Sequence, residues 1–497
     1  MNRTVVQAAC IAAATSLIAG CAPAATIAVE EAPLDRSVMP APGPEPEVDF
    51  PGVRRSTLSN GLTVWVVERP EVPLVTAQLL FEAGARMDPP GQSGLSSLTA
   101  EMLTEGTTTR SATEIADEID FLAANLSAGV GRETAVVTLT TLARNVEPAL
   151  ELFTDIVANP SFDEDEWARV RDQRLVSLLQ ALDQPATIAS QEFARIVFGL
   201  EHPYGRPVQG TTESVSDITP TELREFHRTY YRPAEAHLIV VGAVETDDLV
   251  QQLETHFSAW LGSAPPAPAG PADPPPAPTT QIYLIDKPGA AQSQIRIGHV
   301  GVDRMHEDYF PLLALNSILG GQFSSRINLN LREDKGYTYG ASSSFQMGRI
   351  AGPFVAGAGV QTAVTMESIV EFMRELKEIR DQRPATPEEV EFATTSIIRQ
   401  EPLTLQTNAQ IAARVQDLIR YDLPLDYFDE YSDRVAEVSV AEVNRAAREH
   451  LRPGQFAIVV VGDRATIEQN VRTLPYPVEI VAIEGQAEPV TERQEVV

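Results

Sequence analysis

Side chains suited to metal or nucleophilic chemistry are sparse in the first 200 residues of this chain. The first histidine is His202, and none of the 7 histidines belongs to an H-x-x-E-H or H-E-x-x-H pattern, the spacings that put two metal-binding imidazoles on one helix face. His299 and His306 flank Asp303, but they lie seven residues apart in a predicted strand-to-loop segment. We therefore predict no metal site in this chain, and we expect His202, in an HPYG turn, to be structural.

A short amphipathic helix is predicted near residue 100. Apolar residues recur at i, i+3, i+7 and i+8 from Leu95, so they share one face. Ser93 or Ser96 is a candidate N-cap, and Gly106 stands where a left-handed residue would end the helix.

The polar face of this helix carries Ser97, Ala100 and Glu101. A serine nucleophile needs an adjacent base, and no histidine is predicted nearby, so Ser96 and Ser97 are expected to be capping or surface residues. Glu101 and Glu105 are four residues apart and could form a carboxylate pair, but a solvated helix face is the simpler expectation.

Composition and charge limit the function classes. The 497 residues include Lys+Arg 38 and Asp+Glu 69, a net charge of -31, which argues against nucleic acid or an anionic membrane face as a partner. Hydrophobic content of 43% is ordinary for a folded protein, and the length indicates two or more domains.

The N-terminus is typical of a targeting segment. Arg3 is followed by the short apolar run 5–18, which is too short to span a bilayer, and then by LIAGC ending at Cys21. This ending resembles a bacterial lipobox, which implies lipidation of Cys21, and Ala22 favours the outer membrane, facing the periplasm. The alternative is an ordinary secreted protein cut near Ala19. The lipobox interpretation predicts a location in the bacterial cell envelope.

Proline-rich segments divide the rest of the chain. The predicted order is a signal peptide (1–20), a Pro/Ala-rich tether (21–50), an N-terminal domain (51–264), a Pro-rich linker (265–280), a C-terminal domain (281–486) and a disordered tail (487–497).

The two predicted domains resemble copies of each other. Arg232-Pro233 precedes an apolar run that ends at Gly242, and Arg452-Pro453 precedes a matching run that ends at Gly462, an offset of 220 throughout. In each copy, strands are followed by a helix, two further strands, paired helices and a closing strand. This order predicts an α+β fold in which each domain is a mostly antiparallel sheet with helices packed on it. The predicted elements of the first copy include a stranded segment 57–68 with a turn at Asn60-Gly61, strands 74–82, 123–129, 135–142 and 237–241, and helices 145–159 and 163–182. Those of the second include strands 280–285, 294–300, 337–345, 354–360 and 456–461 and helices 309–318, 365–382 and 386–400.

Four motifs together resemble the pitrilysin/insulinase family of zinc peptidases over roughly residues 54–483. They are the helix ending in Glu105-Gly106-Thr107, the segment HPYGRPVQGT from His202, the repeated Arg-Pro…Gly unit, and SSR…LREDKGYTYG at 324–340. Family members carry an inverted His-x-x-Glu-His motif on the helix and a third ligand, a Glu, about 77 residues later. Aligned on Gly106-Thr107, these positions hold Ser97, Ala100, Glu101 and Leu178, so the resemblance implies a subunit without catalytic zinc.

The second copy keeps features that the family uses for substrates. Family members bind and position the substrate backbone with an Arg and a Tyr seven residues apart, and Arg332 and Tyr339 have that spacing. A guanidinium can bind carbonyls bidentately, and a phenol can donate to an oxyanion. The alternative is that Arg332 forms an ion pair and Tyr339 packs in a strand. Gly320 and Gly321 resemble a short glycine-rich substrate loop, or else a helix C-cap.

The resemblance implies a non-catalytic subunit of a heteromeric zinc metallopeptidase. Peptides would be the substrates, zinc would reside in a homologous partner subunit, and this chain would hold no cofactor and have no peptidase activity alone. The alternative is a scaffold or peptide-binding module with no proteolytic role.

Overall fold

The computed structural model describes Gly43, residues 49–266, Gly270, residues 273–275 and residues 279–483. The predicted signal peptide, Cys21 and the predicted tail lie outside these residues, as do most of the predicted tether and part of the predicted linker. In the described part of the chain, no helix combines the length and the apolar character needed to cross a membrane.

The first half is built on a six-stranded sheet with the order β1-β2-β6-β3-β5-β4. All neighbouring strands are antiparallel except β2 and β6. The strands are β1 (Arg54–Thr57), β2 (Thr63–Glu68), β3 (Leu74–Phe81), β4 (Asn125–Val130), β5 (Ala135–Leu142) and β6 (His237–Gly242).

Eight helices accompany this sheet in the described residues. They are α1 (Leu95–Met102), α2 (Ala112–Phe121), α3 (Val146–Ala158), α4 (Glu164–Ala181), α5 (Pro185–Phe198), α6 (Thr212–Asp217), α7 (Pro220–Tyr230) and α8 (Thr246–Phe257). Several begin at the side-chain caps that their sequences suggest: Thr219, for example, forms a capping box with Glu222.

The second half repeats this plan with the order β12-β7-β11-β8-β10-β9. Its strands are β7 (Gln281–Asp286), β8 (Gln292–Val300), β9 (Thr338–Phe345), β10 (Pro353–Gln361), β11 (Ala457–Gly462) and β12 (Val478–Val481). Its helices are α9 (Tyr309–Asn316), α10 (Arg326–Asn328), α11 (Thr365–Glu378), α12 (Pro387–Gln400), α13 (Asn408–Arg420), α14 (Tyr431–Ala436), α15 (Val440–His450) and α16 (Arg464–Val471), with π-helical turns at Ser317–Gly321 and Leu329–Asp334.

The central strands of each sheet are buried on both faces. Along β2, Val64 and Val66 face the core of the first half, whereas Trp65 and Val67 face the other side of the sheet. That other side is covered by α13 of the second half. In the same way, α5 of the first half covers the outer face of β11. The two halves therefore exchange helices, which explains why the central strands are continuously apolar.

A buried carboxylate joins the two halves. Glu133 of the first half accepts hydrogen bonds from the Tyr204 hydroxyl, from the backbone N–H of Arg349 (2.8 Å) and from the Arg420 guanidinium (3.1 Å). Burial alone would raise the pKa of Glu133, but the bonds from Tyr204 and Arg420 outweigh it and lower the pKa. The carboxylate is thus held ionised at the junction.

The predicted α+β class, with two similar domains on mostly antiparallel sheets, is confirmed. Most predicted elements differ from the observed ones by a few residues at their ends. The predicted turn at Asn60-Gly61 is confirmed, because it joins β1 and β2, which pair antiparallel from Thr57 and Thr63. Strand β12 was not predicted. Phe50, assigned to the tether, is buried and packs on Phe428, with ring centroids 5.0 Å apart.

Candidate functional site

Helix α1 is capped by Asp88, which lies six residues before Gly94, the residue at the start of the helix. Asp88 accepts the backbone N–H groups of Gly94 (2.9 Å) and Ser96 (2.8 Å) through its two carboxylate oxygens, so the expectation of a Ser93 or Ser96 cap is wrong. Burial raises the pKa of Asp88 to about 6 against the opposing effect of these bonds. Gly106 has φ +123°, which suits the predicted turn after the helix.

The two positions that would carry histidines, 97 and 101, are bridged by one arginine. Arg174 on α4 donates from Nη1 to the Ser97 hydroxyl (3.1 Å) and to the backbone carbonyl of Gln209 (3.1 Å). Its Nη2 donates to the carboxylate of Glu101. The Arg174 side chain is only 9% exposed, so a fixed positive charge lies between the two positions.

These residues do not fit a zinc ion. Ser97, Ala100 and Leu178 offer neither an imidazole nor a carboxylate, and the carboxylate of Glu101 is already paired with Arg174. One carboxylate is too few for a zinc ion, which takes three or four protein ligands. The side chains of this site thus give no metal-assisted hydrolysis.

The polar side chains of α1 are less exposed than the sequence suggested. Ser96 and Ser97 are 0% and 7% exposed, so the expectation of surface serines is wrong. Glu105 pairs with Arg169, as Glu101 pairs with Arg174, so the two carboxylates are neutralised by separate arginines of α4. They do not form an acid–base pair.

An open depression of about 610 Å³ remains beside the degenerate site. Glu101, Arg174, Val176 and Gln180 are among its lining residues, and Val176 is 53% exposed. The depression leaves room for a ligand beside a helix whose side chains offer no metal site.

Arg332 and Tyr339 lie together on the second half. The Arg332 guanidinium stacks over the Tyr339 ring at 5.1 Å and over the Phe323 ring at 4.5 Å, and it also approaches the Glu333 carboxylate (3.3 Å). Tyr339 is 88% exposed on β9, which is an edge strand. The alternative of a packed Tyr339 is therefore wrong, whereas the ion pair proposed for Arg332 is present at the surface.

Positions 320 and 321 have no room for a side chain larger than that of glycine. A Cβ on Gly320 would lie 2.4 Å from the backbone nitrogen of Ser343 on β9, and one on Gly321 would lie 2.7 Å from the Asn316 amide. Both end a π-helical turn, and neither is among the glycines with positive φ, so a left-handed C-cap does not explain them. Their role in binding substrate stays a prediction.

The histidines singled out in the sequence have structural contacts. His202 is buried, and its Nδ1 accepts the backbone N–H of Tyr204 (3.0 Å). His299 is buried and stacks on Phe456, and burial lowers its pKa to about 4. His306 approaches neither His299 nor Asp303 as a metal ligand would; its neighbours are Asp308 and His450.

Two family models match the two halves in order. The model described as "Insulinase (Peptidase family M16)" matches residues 63–210, and the model described as "Peptidase M16 inactive domain" matches residues 217–396. The chain belongs to the insulinase family. The first match includes the degenerate helix α1, and the second includes Arg332 and Tyr339.

Bacterial relatives and solved structures agree with this assignment. An uncharacterized zinc protease of Mycobacterium leprae is 31% identical over 306 residues, which are 60% of this chain and 66% of the relative. One of Mycobacterium tuberculosis is 27% identical over 435 residues, 85% of this chain and 96% of the relative. A peptidase M16 inactive domain from Pseudomonas fluorescens superimposes with a TM-score of 0.76 at 28% identity, covering 83% of this chain and 98% of that chain. A protease from Helicobacter pylori shares the fold, with a TM-score of 0.76 at 20% identity over 83% of this chain and 100% of that chain.

Sequence reasoning missed Arg174 and Phe323 in this insulinase-family chain. A signal for Arg174 was present, because it lies four residues before Leu178 on the same helix and so shares its face. Phe323 lies nine residues before Arg332, which itself belongs to the π-helical turn Leu329–Asp334. Local periodicity does not predict such a turn.

Proposed function

We propose that this chain is the zinc-lacking subunit of a heteromeric metallopeptidase, with peptides as substrates. A homologous partner would carry the zinc ion and its activated water. Arg332 and Tyr339 would hold the peptide backbone against that partner. Anchoring to the envelope through Cys21 completes the proposal and stays a prediction from the sequence.

The exposed Arg332–Tyr339 pair is the observation that carries this proposal. A phenol that is 88% exposed contributes little to packing. Among the described residues, no hydrogen bond to its hydroxyl is found, so the hydroxyl can donate to a substrate oxygen. A scaffold has no physical reason to keep a guanidinium fork stacked beside a solvent-facing tyrosine.

The position of the pair on an edge strand also supports peptide binding. Strand β9 is the last strand of its sheet, and an edge strand can pair with an extended peptide. The Ala341 backbone N–H already donates to Asn328 Oδ1 (3.1 Å), so the part of this edge that is proposed to receive a peptide is the end beside Tyr339. Arg332 would then bind peptide carbonyls, and the Tyr339 hydroxyl would donate to the oxygen on which charge develops.

The first experiment is co-purification. The tagged full chain, solubilised in mild detergent from its own envelope, should bring down a homologue that contains H-x-x-E-H, and the two together should cleave an unfolded peptide that neither cleaves alone. Recovery of the chain without any such homologue would refute the heteromer and favour the scaffold alternative.

The second experiment tests the pair in the reconstituted complex. Arg332→Ala and Tyr339→Phe should each lower kcat/KM by about 10-fold or more, because a contact to the developing oxyanion or to the backbone is lost. The matched control is Arg472→Ala, which removes an arginine that is 47% exposed and pairs with Glu468. Equal kinetics of the Arg332 and control variants would contradict the role assigned to the pair.

A further inference from the structure

A cluster of metal-ligand side chains lies in the second half, away from the degenerate helix. Among the described residues, His306, Asp308 and His450 form a group in which one potential ligand atom from each lies within 4.8 Å of the others. The imidazole rings of His306 and His450 are perpendicular, with centroids 4.9 Å apart. His–His–carboxylate sets are typical of zinc ligands.

The elements that hold these side chains are rigid. Asp308 is the residue at the start of α9, and His450 is the last residue of α15, which packs on α9. His306 precedes α9 by a short loop, and its Nδ1 accepts the backbone N–H of Asp308 (3.1 Å). The geometry of the cluster is therefore set by two packed helix ends.

The Asp308 carboxylate does not cap the helix that follows it. It stands at the N-cap of α9 but makes no side-chain cap bond to the helix. Instead its Oδ2 accepts from His450 Nε2 (2.7 Å) and from Arg445 Nη1 (2.9 Å), and its Oδ1 accepts from Arg445 Nη2. The carboxylate is 2% exposed, so it is directed into the cluster.

A cleft of about 590 Å³ opens onto the cluster and gives solvent access. His306 and Asp308 line it, together with four further acidic side chains: Glu307, Asp422, Glu437 and Glu442. The same cleft contains Arg304, Arg434 and Arg445, so its acidic groups outnumber its arginines. This balance favours a cation over an anion.

We propose that His306, Asp308 and His450 bind one late divalent transition-metal ion, for which Zn²⁺ is the probe. The three side chains would supply two imidazole nitrogens and one carboxylate oxygen, and a water molecule from the cleft would occupy the fourth position. This site is independent of the proposed peptidase role and revises the sequence-based expectation that the chain holds no metal.

Binding requires all three side chains to rearrange. Their ligand atoms now lie within 4.8 Å of one another, and His306 Nδ1 would exchange the hydrogen bond that it accepts from the Asp308 N–H (3.1 Å) for the metal. Zinc–ligand distances of about 2.0–2.2 Å in a tetrahedral site place ligand atoms about 3.4 Å apart. His450 Nε2 and Asp308 Oδ2, now 2.7 Å apart, would move apart by about 0.7 Å as the shared proton leaves and the metal takes its place. Arg445 Nη1 would release Oδ2 (2.9 Å), whereas Nη2 would keep its bond to Oδ1 and would orient the ligating carboxylate.

The test is titration of Zn²⁺ into the full chain, purified without a polyhistidine tag and stripped with a chelator. Calorimetry should give one site per chain, and Co²⁺ in its place should show the visible bands of a tetrahedral ion. His306→Ala, His450→Ala and Asp308→Asn should each weaken binding by about 100-fold or more, since each removes a direct ligand. His256→Ala, which alters a histidine on α8, should leave the affinity unchanged.

Two outcomes overturn the proposal. One is the absence of a stoichiometric Zn²⁺ site in the wild-type chain. The other is an affinity in His306→Ala equal to that of wild type, which would assign the ion to other groups. His306 lies in the loop before α9, so this variant decides the matter even where His450→Ala or Asp308→Asn fails to fold.

Discussion

Replacing Arg174 with methionine should destabilise the first half of the chain. Arg174 makes three hydrogen bonds from a side chain that is 9% exposed, to Ser97, Gln209 and Glu101. Breaking a buried ion pair costs about 3–5 kcal/mol. Glu101 is 39% exposed, however, so water can solvate the carboxylate that loses its partner. We therefore expect the free energy of unfolding to fall by about 2–3 kcal/mol.

The measurement is urea unfolding of the full chain, followed by far-UV circular dichroism. Arg171→Met is the matched control, because Arg171 lies on the same helix and pairs only with its neighbour Asp172 among the described contacts. A surface pair of this kind contributes about 0.5 kcal/mol or less. Arg174→Lys should fall between the two, since it keeps the charge but loses the planar fork. A loss in Arg174→Met no larger than in Arg171→Met would refute the view that Arg174 is the structural cation of the degenerate site.

Two further predictions concern stability. Burial lowers the pKa of His227 and His237 from 6.5 to about 4, so the folded state binds fewer protons and the free energy of unfolding should fall as the pH drops from 6.5 towards 4. Each histidine should contribute about 2 kcal/mol to the difference in the free energy of unfolding between about pH 7.5 and about pH 5. His237→Gln should therefore reduce that difference, and an unchanged pH dependence in this variant would contradict burial of His237 as the cause. Gly320→Ala should cost about 1–3 kcal/mol, because its Cβ would meet the backbone of Ser343, whereas Gly129→Ala, with nothing within 4 Å, should cost far less; equal thermal unfolding midpoints would show that the close approach is not a constraint.

The fold could be predicted from the sequence because its signals are local or repeated. The offset of 220 between Gly242 and Gly462 gave two similar domains, and the apolar runs before them are the central strands β6 and β11. What could not be predicted depends on contacts between distant segments. The exchange of α5 and α13 places a helix on a sheet that is remote in sequence, and no period reveals it.

The candidate sites also combine features that residue types reveal with contacts that only the folded chain shows. The residue types alone show that positions 97, 100 and 178 hold neither an imidazole nor a carboxylate, and the spacing of Arg332 and Tyr339 can also be read from the sequence. The replacement cation at Arg174, the cap at Asp88 and the meeting of His306 with His450 join segments that are 6 to 144 residues apart in the chain. These contacts depend on side-chain packing, which has no sequence period.

The exchanged helices α5 and α13 restrict motion of the two halves relative to each other. Each half needs a helix of the other to cover an apolar sheet face, as the subunits of an obligate dimer do. A hinge between the halves would expose Trp65 and Ile239 to water, and it would break the bonds that Glu133 makes across the junction. Helix α1 and the Arg332–Tyr339 strand therefore belong to one rigid block. Bending between the halves therefore cannot bring helix α1 closer to the Arg332–Tyr339 pair.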